Sequence, residues 1–146
     1  MDKNFCWRHF FGAIDRFRER LIPADGGAFD VDIFSLTMSQ QRLLRELALC
    51  AESSPEGISL KVLAEKLNLS SSAVSVMVEM LVQKKVLERR NSIVDRRQVL
   101  IRLSDAAWRE VEKFDRSCNE FFTGFSDEEY AVLQKISLRL SGSDKK

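Results

Sequence analysis

A chain of 146 residues is long enough for one compact domain, or for a small domain with an added dimerising segment. Its composition, 45% apolar and 31% charged, is that of an ordinary globular protein, and no apolar run approaches the roughly 18 residues that a membrane-spanning helix needs. The single histidine, His9, disfavours most hydrolytic enzymes and metal centres. The three cysteines are widely spaced, and the charged amino terminus is not typical of a secretory signal, so we expect a cytoplasmic protein without metal or cofactor.

Charge and aromatic residues are unevenly distributed along the chain. The net charge is only +1, but residues 58–102 contain nine Lys/Arg and four Asp/Glu, a local charge of +5 that leaves −4 for the remainder. The ten Phe, two Trp and one Tyr all lie within residues 1–34 or 108–146. These patterns indicate a basic middle lobe that faces phosphate groups and an aromatic base built from both chain ends.

The first elements in chain order are two helices. Helical spacing of apolar residues predicts a helix over 4–22, and the glycines within 23–32 predict a loop. Thr37, with Gln40 three residues later, has the form of a capping box and predicts the start of the second helix.

The middle of the chain has the pattern of a winged helix. Short helices are predicted to begin at Ser59 and Ser70, with a turn at Asn68 and Leu69 so tight that the two helices must cross steeply, as in a helix-turn-helix. Two strands are predicted next, joined by a mostly polar and basic loop. The segments are 86–90 and 99–103 for the strands and 91–98 for the loop. A helix-turn-helix followed by a basic hairpin is a more specific sign of a winged helix than either part alone.

Two further helices are predicted at the carboxyl end. Ser104 caps a long one with a lengthwise apolar seam, and Ser126 with Glu129 forms a second capping box before the last. The seam consists of Ala107, Val111, Phe114, Cys118, Phe121 and Phe125. The polar tail, 141–146, is expected to fray.

These stretches resemble the MarR (multiple antibiotic resistance regulator) family over about 105 residues. The matching segments are LTMSQ at 36–40, ISLKVLAEKLNLSSSAVSVMVEMLVQKKVLERR at 58–90, DRRQVLIRLS at 95–104 and SDEEY at 126–130. The resemblance implies a mainly α fold with a small β-hairpin wing: a winged helix-turn-helix with N- and C-terminal dimerisation helices. The implied parts are 1–34 (dimerisation helix and loop), 35–104 (DNA-binding lobe) and 105–146 (dimerisation helices). Many relatives are repressors released by small phenolic or anionic ligands, or by cysteine oxidation.

The chain departs from the family pattern at three places. Ser71 and Val76 stand where relatives often have arginine on the recognition helix. Lys85 replaces the glycine that usually ends that helix, so it must either adopt a positive φ or end the helix differently. The segment between the first helix and LTMSQ is also longer than usual.

The predicted DNA contacts combine a polar helix face with basic wing residues. They are Ser70, Ser71, Ser72, Ser75, Val76, Lys84, Arg90, Arg96 and Arg97. Serine hydroxyls discriminate bases poorly, so we expect affinity to come mainly from phosphate contacts and from the wing. In the family pattern Asp95 fixes the orientation of Arg97. The alternatives are that the serines form a solvated helix face and that Asp95 and Arg97 form an ordinary surface pair.

Two further sites are hypotheses from the chain ends. A ligand pocket is predicted where the aromatic base meets the DNA lobe, although such a stripe can equally be core. Its candidates are Trp7, Phe10, Phe11, Ile14, Trp108 and Phe114. Cys6 lies three residues before His9, whose imidazolium would favour a redox-active thiolate; the alternative is a small apolar residue of the base.

Together these features predict a DNA-binding transcriptional regulator rather than an enzyme. We expect a repressor that binds a pseudo-palindromic duplex as a homodimer, with half-sites about one helical turn apart. A small aromatic or anionic effector is the expected regulator. The alternatives are a winged-helix protein-interaction module that has lost DNA readout, and a redox sensor that acts through Cys6.

Overall fold

The computed structural model describes residues 6–21 and 30–142. The elements in chain order are α1 (Trp7–Leu21), α2 (Met38–Cys50), β1 (Ile58–Ser59), α3 (Leu60–Leu67), α4 (Ser71–Gln83), β2 (Leu87–Asn91), β3 (Val99–Leu103), α5 (Asp105–Phe122) and α6 (Asp127–Leu140). The chain forms two compact units, Met1–Glu112 and Lys113–Lys146, so the boundary lies within α5. Most of the loop predicted over 23–32, and the end of the tail, lie outside the described residues.

The core of the first unit is aliphatic, as the absence of aromatic residues from its middle predicts. Its bulkiest fully buried apolar side chains come from α2, α3, α4 and the residue before β2, and they are Leu43, Leu63, Leu67, Leu81, Val74, Val78 and Val86. The predicted capping box starts α2: the Thr37 hydroxyl accepts a hydrogen bond from the Gln40 backbone N–H (3.3 Å), and the Thr37 N–H donates to the Gln40 side chain (3.1 Å).

The helix-turn-helix forms where it was predicted. Ser59 caps α3 by accepting from the backbone N–H of Val62, and Ser70 caps α4 by accepting from that of Ala73 (3.2 Å). Between the helices Asn68 adopts the left-handed conformation, φ 54°, which asparagine tolerates better than most residues. This reversal leaves only three residues between the end of α3 and the start of α4.

Lys85 takes the first of its two predicted options. Its φ is 60°, and its N–H donates to the carbonyl of Val82 while the N–H of Val86 donates to that of Leu81. These two bonds are the Schellman pattern that glycine normally supports, and the buried Val86 and Leu81 supply its apolar contact. Lysine therefore occupies a glycine position at a cost in backbone strain.

The wing belongs to a three-stranded sheet rather than to an isolated hairpin. The strand order is β1-β3-β2 with antiparallel pairing, so that β3 is central. The strand predicted at 99–103 is confirmed as β3. The strand predicted at 86–90 lies one residue later, as β2. β1 was missed because two residues are too few to show a strand period.

The second unit contains the end of α5, a turn and α6. The predicted capping box is present: the Ser126 hydroxyl accepts from the N–H of Glu129, whose carboxylate accepts from the N–H of Ser126 (2.8 Å). Phe121, Phe122 and Phe125 pack with ring centroids 5.3 to 5.5 Å apart. Phe125 lies beyond the end of α5, so the predicted seam runs past the helix.

Candidate nucleic-acid interface

The outward face of α4 is polar and uncharged over its first turns. Val74, Val78 and Leu81 are fully buried, which turns the opposite side of the helix to solvent. On that side Ser71 and Ser72 are exposed, Ser75 is half-buried and Val76 is 62% exposed. This arrangement agrees with the predicted recognition face. Ser70 caps the helix with its hydroxyl, as predicted, and its contact with DNA stays a prediction.

An ion pair joins the outward face of α4 to the wing. Glu79 lies one turn beyond Ser75, and its carboxylate is 2.9 Å from the guanidinium of Arg89 on β2. The exposed surfaces of α4 and β2 are therefore continuous. The sequence did not predict this contact because it depends on how β2 crosses the helix.

The arginines of the wing loop, Arg96 and Arg97, are exposed. Neither guanidinium forms an ion pair with any residue among 6–21 and 30–142. The carboxylate of Asp95 accepts a hydrogen bond from the backbone N–H of Arg97 (3.0 Å), which fixes the turn rather than the guanidinium. The Asp95 side chain thus supports the backbone of the wing, and both arginine side chains are available to a ligand.

The other predicted basic contacts are partly neutralised. Arg90 pairs with Glu88 (2.9 Å), which also binds Arg102, and Arg102 in turn pairs with Asp105 (2.9 Å). These bonds tie the base of the wing to the start of α5.

Lys84 is exposed and lies near Asp32. Burial raises the pKa of the Asp32 carboxyl, but hydrogen bonds from Ser35 and Phe34 outweigh it and, with a smaller contribution from Lys84, leave the pKa below its usual value. Lys84 therefore has an acidic side chain of another segment beside it.

A cavity of about 250 Å³ lies in the first unit between α2, the sheet and the start of α5. It is lined mainly by apolar side chains together with Arg102, Asp105 and Trp108, and Cys50 also lies on its wall. Of the six residues predicted to form a ligand pocket, Trp108 lines this cavity. Trp7, Phe10, Phe11 and Ile14 lie on α1, and Phe114 lies on α5 beyond the unit boundary. The aromatic pocket stays a prediction.

The cysteines differ in their surroundings. Cys6 is exposed just before α1, and its carbonyl accepts from the backbone N–H of His9 (3.0 Å); the redox role stays a prediction. Burial raises the pKa of the Cys118 thiol, with a further contribution from the Asp115 carboxylate. Within the described part of the chain, no group of three His, Cys, Asp or Glu side chains is placed to hold a metal ion, and no helix has the length and hydropathy to cross a membrane.

Comparison with known proteins connects this geometry to one family. A model of the MarR family matches residues 36–99, and no curated protein matches the chain in sequence. Among solved structures, a MarR-like transcriptional regulator of Thermotoga maritima is 19% identical with a TM-score of 0.71, and the match covers 100% of this chain and 99% of that chain. S. aureus MepR bound to ethidium bromide is 20% identical with a TM-score of 0.63 (97% and 99% covered). The S. aureus MepR–DNA complex is 22% identical with a TM-score of 0.57 (90% and 98% covered). These likenesses establish a common fold.

Proposed function

We propose that this chain is a winged-helix transcription regulator of the MarR family, whose model matches residues 36–99, and that it is a repressor that binds a pseudo-palindromic operator as a homodimer. In this proposal α4 enters the major groove and the wing loop reaches the adjacent minor groove. The solved complex of S. aureus MepR with DNA supports the choice of a DNA duplex as the partner.

One observation carries the proposal: the outward face of α4 continues into a wing, and the two arginines of the wing loop, Arg96 and Arg97, are exposed and unpaired among the described residues. Minor grooves concentrate negative potential, which attracts guanidinium groups. The serines of α4 can accept or donate hydrogen bonds but discriminate bases weakly. Arg96 and Arg97 therefore supply much of the affinity, and recognition depends on the wing as much as on the helix.

Homodimer formation is supported by the apolar side chains that the terminal helices expose. No residue of α6 is buried, and its exposed apolar side chains include Tyr130, Val132, Ile136, Leu138 and Leu140. On α1, Trp7 and Phe11 are both more than half exposed. Apolar stripes of this kind on helices are stable in water when a second surface covers them, and the family pattern makes that surface a second copy of the chain.

A small-molecule effector is part of the proposal. The solved structure of S. aureus MepR with ethidium bromide supports an aromatic effector. We place this effector in the cavity beside Trp108. The one cation of its lining, Arg102, is already paired with Glu88 and Asp105. A neutral or cationic aromatic ligand therefore fits this cavity better than the anionic effector considered from the sequence.

Selection of bound duplexes from a random DNA pool tests the function directly. The proposal expects enrichment of an inverted repeat with half-sites about one helical turn apart. A pool from which nothing is enriched, at salt low enough for binding, would instead favour the protein-interaction module. That outcome would contradict the proposed operator binding and leave the assignment of the fold unchanged.

Replacing Arg97 by alanine tests the wing contact. We expect weaker binding to the selected duplex and a salt dependence whose slope is smaller by about two units, because each protomer of the dimer loses one phosphate-neutralising cation. Fluorescence anisotropy over a range of salt concentrations measures both. Arg116→Ala, which removes an exposed arginine of α5, is the matched control and should leave the slope unchanged. Equal slopes for Arg97→Ala and the wild type would contradict the wing assignment.

A further inference from the structure

The tip of the wing carries two apolar side chains that have no role in the fold. Ile93 is 92% exposed and Val94 is 97% exposed, the two highest values among the large apolar residues described. A single exposed apolar residue needs no explanation, but two adjacent ones at the apex of a basic loop do. They are not covered by the core or by the sheet.

The backbone beneath these side chains is held in place. The buried hydroxyl of Ser92 accepts from the N–H groups of Val94 (3.2 Å) and Asp95 (3.3 Å). The Ser92 N–H donates to the carbonyl of Gln98, and the Gln98 N–H donates to that of Asp95, each at 2.9 Å. The tip is therefore a closed turn, which presents two branched side chains with few rotamers to lose on contact.

The charges around the tip match a nucleic-acid groove. Arg96 and Arg97 follow the apolar pair after one residue, Asp95, and are free of ion pairs among the described residues. Proteins that bend DNA from the minor groove combine such cations with apolar side chains that enter between base pairs and partly unstack them. Isoleucine is one of the residues used in this way.

We propose that Ile93 and Val94 form an apolar wedge that enters a base step of the minor groove and kinks the duplex. This inference rests on the proposed DNA-binding function and adds a mechanism of recognition to it. Such wedges bend DNA by about 20–90° toward the major groove. Flexible pyrimidine–purine steps are the easiest to open, so the wing selects sequence by deformability at a position that α4 does not touch.

Topology of a closed plasmid tests the wedge without knowledge of the operator. Relaxed circular DNA is incubated with the full-length protein and topoisomerase I, and the protein is then removed. Unstacking by the wedge lowers the twist, so we expect the wild type to leave the plasmid negatively supercoiled. The Ile93→Ser/Val94→Ser double variant should lose most of this shift when compared at equal occupancy, as measured by gel shift on a fragment of the same plasmid.

Three control variants separate the wedge from simple contact. Ile93→Leu/Val94→Ile preserves apolar bulk and should retain the shift in linking number. Ile93→Lys/Val94→Lys should bind at least as tightly through added charge and yet lose the shift. Leu49→Ser, which removes an apolar side chain of α2 that is 66% exposed, should behave as the wild type.

The outcomes distinguish this inference from the function on which it rests. DNA bound with no change in linking number, or an equal change with the double serine variant, overturns the wedge and leaves the regulator intact. Failure of the wild type to bind DNA at low salt overturns both. The wedge is supported if the wild type, Ile93→Leu/Val94→Ile and Leu49→Ser lower the linking number and the double serine and double lysine variants do not.

Discussion

Among the glycines that the structure describes, Gly57 leaves least freedom for substitution. Its φ is +105°, and a Cβ built at this position would lie 2.5 Å from the carbonyl oxygen of Ile101 on β3. The close approach exists because the next residue, Ile58, pairs with Ile101. Any side chain at 57 therefore both strains the backbone and pushes β1 away from the sheet.

We expect Gly57→Ala to lower the free energy of unfolding by about 2 kcal/mol or more, since it combines a disfavoured φ with a steric clash. Urea denaturation followed by circular dichroism at a fixed protein concentration measures the change. Gly124→Ala is the control, because its Cβ would meet nothing nearer than the Phe121 carbonyl oxygen at 3.7 Å. Similar losses in the two variants would contradict the argument.

Lys85 offers the opposite change. Glycine removes the strain of the positive φ but makes the unfolded chain more flexible, so we expect Lys85→Gly to stabilise the protein by about 0.5–1 kcal/mol. Lys85→Ala loses the same charge and keeps the strain, and it should change stability little. The same urea titration distinguishes the two. A glycine variant no more stable than the alanine variant would mean that the Schellman turn is unstrained.

These two residues show what a sequence can predict about backbone strain. Lys85 could be identified in advance because the family pattern has glycine there. Gly57 could not, because its clash arises from β1 pairing with β3, and a two-residue strand has no periodicity to detect. The positive φ of Lys85 could be anticipated from the local sequence, whereas the close approach of Gly57 to Ile101 is visible only in the tertiary structure.

At the scale of elements, the junction between α4 and β2 decides how much charge the interface presents. The Glu79–Arg89 pair is exposed, with side-chain exposures of 52% and 40%, so it contributes little to stability. Its larger effect is to hold Arg89 in an ion pair that DNA must compete with.

We expect Glu79→Gln to bind random-sequence duplex a few-fold more tightly, with a salt slope steeper by about one unit per protomer, because Arg89 becomes available to phosphate. Stability should stay within about 0.5 kcal/mol of the wild type. Anisotropy titrations measure the slope, and Glu112→Gln on α5 controls for the change in net charge. Unaltered slopes in both variants would show that Arg89 does not reach the duplex.

The candidate interface was partly predictable at this scale. The hydroxyl caps at Ser59, Ser70 and Ser126 gave the helix starts, and the buried stripe of α4 gave its outward face. The ion pairs of Arg89, Arg90 and Arg102 were not predicted, because they depend on the register of β2 against β3 and on how β2 crosses α4. Charge counts located the basic surface, and only the contacts showed which cations are free.

At the scale of the whole molecule, the unburied surface of α6 predicts the oligomeric state. Ile136 is 43% exposed in the single chain, and a carboxylate there would have to be desolvated in a dimer. We expect Ile136→Asp to shift the protein from dimer to monomer and to weaken operator binding strongly, because each monomer then binds one half-site. Size-exclusion chromatography with light scattering measures the mass.

The control for the dimer prediction is Leu49→Asp, an equally drastic change at an exposed apolar residue of α2. It should remain a dimer. If both variants dissociate, general instability rather than the α6 surface is responsible. If neither dissociates, α6 is not the dimer contact.

The pairing of Ile58 with Ile101 has a consequence for cooperativity. It encloses α3, α4 and β2 within a loop whose two ends meet in the sheet, so we expect α3 and α4 to unfold together with the wing. Closing this loop is a non-local step in folding. Amide hydrogens of α3 and β3 should consequently exchange with a common opening free energy, as parts of one foldon.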